Sequence, residues 1–225
     1  SDERSGQQLS AESIQITTGA IREGINSPLK MTAFLGTNQP LMRAKTELTG
    51  ELRFDRSLGR YQLENLRLSG EASGQPLEGK TVTFVAQGQL LLDQAAQIAE
   101  WNGLKLSVNQ LRALGELNVR GLDKAPKLSG ALSIAEFNLR QFLEGLGQQL
   151  PAMADAKTLS KVELVSRLDG SANSLALEEL KLKLDDSSFS GRLALADLAK
   201  RALRVQLKGD RLDVKVCQEN RSIPA

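Results

Sequence analysis

The sequence predicts a mainly β protein: an antiparallel meander of repeated strands, curled into a groove or stacked as a sandwich, with one amphipathic α-helix near residues 138–147. Three observations lead there. Leucine, the commonest residue, mostly recurs at every second position and not at helical spacing. Two short strings, G-x-L-x-apolar and apolar-x-x-Leu-x-Leu, return along the chain. Only one stretch has a long helical period, which disfavours the alternating βα units of a parallel sheet.

Taken in order, residues 1–12 open with the polar run SDERSGQQLS and read as a flexible segment before a single β-rich domain over 13–214. The first string occurs at Gly50/Leu52/Phe54, Gly88/Leu90/Leu92, Gly115/Leu117/Val119, Gly130/Leu132/Ile134 and Gly191/Leu193/Leu195. The second occurs at Leu63/Leu66/Leu68, Trp101/Leu104/Leu106 and Leu177/Leu180/Leu182. Its two-residue gap, as at Glu178-Glu179, breaks strict alternation and predicts a β-bulge that bends the strand. Between Leu68 and Gly88 the stretch EASGQPLEGKT reads as an enlarged hairpin loop.

The helical stretch is NLRQFLEGLGQQL. Leu139, Phe142, Leu143 and Leu146 recur at i, i+3, i+4 and i+7, Asn138 stands at the N-cap, and Gly147 and Pro151 limit the far end. Residues 138–155 therefore form a helical insertion in the sheet. Beyond it Val162, Leu164 and Leu168 alternate with Lys161, Glu163 and Arg167, and Leu180, Leu182 and Leu184 with Lys181, Lys183 and Asp185. Leu203, Val205 and Leu207 alternate with Arg204, Gln206 and Lys208. One face of each strand is apolar and the other charged, the mark of antiparallel sheet with a wet side. After Asp213-Val214 the pattern stops, so 215–225, including Cys217, reads as an appended tail.

Composition excludes more than it assigns. The chain has no histidine, which removes Ser/His and Cys/His triads, His-ligated zinc and imidazole bases. One cysteine forbids an intrachain disulfide and any multi-Cys metal site. Lys+Arg 29 against Asp+Glu 27 gives a net charge of +2 without a long like-charge run, so nucleic acid is not an expected partner. Mean hydropathy is −0.26 and no stretch is apolar enough for a membrane span or a signal peptide.

One motif matches a nucleotide site. Gly74 to Thr81 fits G-x-x-x-x-G-K-[ST], with Gly74, Gly79, Lys80 and Thr81 in the phosphate and magnesium places and Asp93 as the following acid. A phosphate cradle needs a helix after the loop, and TVTFV is β-branched and aromatic, so the match is coincidental. Asp185-Asp186 falls between two alternating stretches and reads as a turn, not an acid/base pair. Trp101 reads as a core or edge residue rather than a ligand stacker. Asn220-Arg221-Ser222, a glycosylation pattern, carries little weight in a terminal tail. No catalytic residue, metal ligand or cofactor site is assigned.

The stretch from Leu117 to Asp213 resembles the C-terminal part of AsmA-family proteins of Gram-negative bacteria. LSGALSIAEFNLRQFLEGLGQQLPAMAD (128–155), LDGSANSLALEELKLKLDDSSFSGRLAL (168–195) and LRVQLKGDRLDV (203–214) carry the resemblance. It implies a β-rich body related to bridge-like lipid transporters. It also implies a place on the periplasmic side of the inner membrane, reached through an N-terminal helix absent from this chain, and a role in outer-membrane biogenesis.

The leading expectation is a non-enzymatic lipid-handling module that takes a phospholipid or another envelope lipid into an apolar trough. Its lining candidates are Leu164, Leu168, Leu180, Leu182, Leu184, Leu193, Leu195, Leu203, Val205 and Leu207. The driver is acyl-chain burial, about 0.8 kcal/mol per methylene. The first alternative is a structural scaffold with a sealed core that works through envelope protein partners in outer-membrane protein assembly. The second, a P-loop nucleotide hydrolase, rests on the loop at Gly74 alone.

Overall fold

A computed structural model describes residues 8–38, 40–148, 158–197, 202–209 and 213–218. The mainly β architecture is as expected, with thirteen strands among the described residues instead of about ten. They are β1 (Leu9–Thr18), β2 (Ser27–Asn38), β3 (Leu41–Asp55), β4 (Arg60–Gly74), β5 (Thr81–Asp93), β6 (Ile98–Val108) and β7 (Leu111–Arg120). Then come β8 (Lys127–Phe137), β9 (Val162–Ser171), β10 (Ser174–Leu184), β11 (Ser187–Asp197), β12 (Ala202–Gly209) and β13 (Asp213–Gln218). One helix, α1 (Leu139–Gly145), stands between β8 and β9.

Strand order in space is strand order in sequence, and every pairing is antiparallel, so all thirteen strands make one meander. The sheet is open. No pairing joins β1 to β13, and no second sheet lies on it among the described residues, so neither a barrel nor the expected sandwich is formed. The expected curl of the whole sheet into a trough is likewise not seen; concavity is local, over β3–β8.

Residues directly opposite in an antiparallel pair share a face. Followed strand to strand, the register builds an unbroken row: Leu52, Leu63, Leu90, Trp101, Leu117, Gly130, Leu168, Leu177, Leu193 and Val205. A row two residues away runs Phe54, Tyr61, Leu92, Ala99, Val119, Leu128, Gly170, Leu175, Leu195 and Leu203. At about 4.8 Å per strand, ten strands carry each row some 43 Å across the sheet.

The bulges fall where the second string skips. Register shifts lie between Leu63 and Leu66, Trp101 and Leu104, and Leu177 and Leu180. Asn65, Gly103 and Glu179 take up the extra residue at φ 50°, 58° and 48°. Because one residue is added, the leucine after each bulge stays on the apolar face. Leu66, Leu104 and Leu180 are all buried there, opposite Gly88, Gly115 and Gly191. The two strings therefore interlock in register: each post-bulge leucine of one stands opposite a glycine of the other.

Three boundaries differ from expectation, and the helix ends where expected. Leu9–Glu12 lie in β1, paired with Phe34–Thr37, and not in a flexible segment. Residues 215–218 belong to β13, paired with β12, so Cys217 sits in the sheet with Arg204 as its register partner. The hairpin loop at 71–81 is shorter, because β4 continues to Gly74 and β5 begins at Thr81. Helix α1 is capped by Asn138, whose Oδ1 accepts from Gln141 N at 3.0 Å. It stops at Gly147, in the left-handed region at φ 76°, where Gln148 N donates to Leu143 O. Pro151 and the rest of the expected insertion, with residues 1–7 and the Asn220 pattern, lie outside the described residues.

Candidate functional site

The site built by these elements is the apolar face itself. Hairpin turns alternate between the two ends of the sheet, and α1 lies at the end that carries the loop 75–80 and the turn at Asn109. Phe142 packs edge-on against Phe137 at 5.7 Å, Gln148 Nε2 donates to Pro76 O, and a Cβ on Gly147 would strike Leu77. Phe137 pairs with Val162 on the apolar side of β9, which places the helix over that side at one end. No residue of α1 is buried, so the helix borders the face without sealing it.

Towards the opposite end the face is hollow. A concavity of about 480 Å³ is lined by Leu52, Leu63, Leu90, Trp101, Leu117 and Val119, with Tyr61 and Leu128 at its margin. That volume falls in the range of small-molecule sites. Trp101 is held in place: its Nε1 donates to Gln87 O at 3.1 Å, and the indole lies against Gly88, where a Cβ would come within 2.5 Å of that nitrogen. One residue beyond the hollow, a register row of Arg60, Asp93, Ile98, Arg120 and Lys127 brings three cations to the strand ends.

All ten lining candidates named from the sequence lie on this same face, in β9–β12. Leu164 faces Leu182, and Leu168 is joined through Leu177 to Leu193 and Val205. Leu195 faces Leu203, Leu207 faces Gly191, and Leu184 faces Val162. Leu180 differs from the rest: at 2% exposed it is core, packed at its bulge, while Leu203 is 37% exposed and the others are half-buried. The hollow over β3–β8 lies outside that set. Its signal was present in the sequence as the paired strings at Leu63 and Trp101, the latter the only tryptophan in the chain.

The polar groups singled out from the sequence hold turns. In the loop after β4, Gln75–Leu77 form one 3₁₀ turn and Lys80 N donates to Leu77 O. Thr81 then starts a strand of thirteen residues, so no helix stands where a phosphate would need one. Asp93 accepts from Ala96 N at 2.9 Å and from Arg60 Nη2 at 2.9 Å, which together hold its carboxyl below the usual range. Among the described residues no three Cys, Asp or Glu side chains gather as metal ligands, and no helix is long and apolar enough to cross a membrane.

Asp185, at φ 52°, is a tether. Its carboxylate accepts from Leu159 N at 2.7 Å, Ser160 N at 3.0 Å and Lys161 N at 3.1 Å, fastening the return from α1 to the β10–β11 turn. The Leu159 hydrogen bond first, then those of Lys161 and Ser160, lower its pKa below the ordinary carboxylate value. A depressed folded pKa gives stability that is complete above the unfolded value and is lost as pH falls through the folded one. Asp185→Asn is expected to melt below wild type at pH 7, with the gap narrowing from about pH 4 downward. Thermal melts of both proteins at pH 7, 4 and 3 check this; a gap that does not change with pH contradicts it.

A model described as the AsmA family matches residues 1–225, the whole chain and not only the stretch from Leu117 that carries the visible resemblance. No curated protein and no solved structure matches the chain.

Proposed function

Since the chain belongs to the AsmA family, whose members have envelope- or lipid-related roles, we propose that it is a non-enzymatic module that handles phospholipid on the periplasmic side of the Gram-negative inner membrane. In this reading it contributes to lipid transport and outer-membrane biogenesis, tied to the inner membrane through an N-terminal helix of a longer protein. The observation that supports it most is the uncovered apolar face, continuous over ten strands and hollowed at Trp101. Leaving so many leucines half-exposed forfeits burial that an ordinary core would take. An acyl chain returns it, at about 0.8 kcal/mol per methylene removed from water.

A chain lying in the hollow runs toward the strand ends, where Arg120 and Lys127, one residue past the apolar row, stand on the charged face and Arg60 is already paired with Asp93. Aliphatic walls discriminate weakly between chains, so low chain specificity is expected. The scaffold alternative requires this face to be covered by a partner, and α1 reaches only one end of it.

The single tryptophan gives the test. Bromine quenches indole emission on contact, so 9,10-dibromostearate below its micelle concentration is expected to quench Trp101 saturably, and unbrominated stearate to compete the quenching away. Quenching that stays linear and uncompeted would show only collisions with an exposed ring, and the reading would fall.

A further inference from the structure

The bulges have an effect on the other, charged face of the sheet. At Asn65, Gly88 and Gly103 the backbones of β4, β5 and β6 depart from regular pleat together, and a second hollow of about 540 Å³ opens behind them. Arg67, Gln87 and Lys105 are direct register partners across β4, β5 and β6, so the two cations flank Gln87 roughly 10 Å apart at their backbones. Side chains of that length are long enough to reach one anion from both sides of Gln87. Neither Arg67 nor Lys105 has an ion-pair partner among the described residues, and the side-chain amides of Gln87 and Gln89 have no hydrogen-bond partner there.

The two asparagines of the hollow are oriented by acids outside its lining. Asn65 Nδ2 donates to Glu51 Oε2 at 2.8 Å, and Asn102 Nδ2 donates to Glu100 Oε2 at 3.3 Å. Only an amide N–H can be given to a carboxylate, so each Oδ1 is left as a free acceptor. The hollow therefore combines two unpaired cations with carbonyl acceptors, and no acid lines it. Cations select an oxyanion, and carbonyl acceptors select hydroxyl donors. From this combination we propose that the hollow over the β4–β6 bulges binds a phosphorylated sugar or polyol, its phosphate between Arg67 and Lys105 and its hydroxyls on the amides of Asn65, Asn102 and Gln89.

The site is on the opposite side of the sheet from the acyl-chain hollow and does not depend on it. Calorimetric titration of the chain at low salt with glucose 6-phosphate, glucose and inorganic phosphate provides the test. Glucose 6-phosphate is expected to bind saturably, and glucose and phosphate each at least about tenfold more weakly, since each satisfies only half of the site. Arg67→Gln and Lys105→Gln are each expected to weaken glucose 6-phosphate about tenfold while leaving dibromostearate quenching of Trp101 unchanged. Phosphate binding as tightly as the sugar phosphate, or either affinity surviving both substitutions, overturns the proposal, as does the absence of any saturable heat. Vesicles carrying phosphatidylinositol 4-phosphate separate the sources: pelleting that Arg67→Gln abolishes assigns a lipid head group, and binding of the free sugar phosphate alone assigns a soluble ligand.

Discussion

Gly191→Ala is expected to destabilise the protein by about 3 kcal/mol, combining backbone strain with a steric clash. Gly191 has φ 151°, which side chains rarely adopt, and an added Cβ would stand 1.9 Å from Gln206 O, a backbone atom of the paired strand β12. A flexible side chain could swing away; a ladder carbonyl cannot. On its other side Gly191 faces Leu180, the most buried large side chain among the described residues. The substitution must therefore push β12 outward. At roughly 2–4 °C per kcal/mol for a chain of this size, the melting temperature should fall by about 6–12 °C. Gly24→Ala is the control: φ is 75° but nothing lies within 4 Å, so only conformational strain of about 1 kcal/mol is expected. Equal losses at both positions would mean that close approach of β12 plays no part.

That interlock shows what was legible in the residues. The two strings could be found independently, and the skipped position in LEEL announces a bulge because no other strand geometry keeps Leu177 and Leu180 on one face. What could not be read is that the strings address each other, Gly191 to Leu180 and Gly88 to Leu66, since register joins residues that the alphabet leaves unrelated. Helix α1 was legible from its cap and period. The ends of the sheet were not: Leu9–Glu12 are exposed and follow a polar run, and β13 lacks leucine alternation, yet backbone pairing to β2 and β12 makes both of them strands.

The sheet's open form was the least legible feature, for a physical reason. A sandwich core, a closed barrel and an uncovered face all ask for the same alternation of leucine with charge, and differ only in what lies opposite. For the same reason the candidates in β9–β12 were placed together on the apolar face, whereas the hollow at Trp101 was passed over. Its lining comes from six strands, β3 to β8, and no single strand carries it.

Leu117→Asp should abolish most acyl-chain binding. Leu117 faces Trp101 on one side and Gly130 on the other, at the centre of the row, and its side chain lines the hollow. It is half-buried, so a carboxylate there stays hydrated in the free protein and the fold should tolerate it. A bound chain would strip that water away. Lost apolar contact and carboxylate desolvation together come to about 3 kcal/mol, or about 100-fold in affinity for dibromostearate. Aspartate is chosen over lysine because a long aliphatic stem could lie along the chain and keep its charge in water. Leu114→Asp supplies the matched control on the same strand: Leu114 is 57% exposed and, with Lys105 and Ser133 as its register partners, stands on the charged face. It should leave quenching of Trp101 unchanged. If both substitutions weaken binding equally, the ligand does not lie on the leucine face; if neither does, the face is not where it binds.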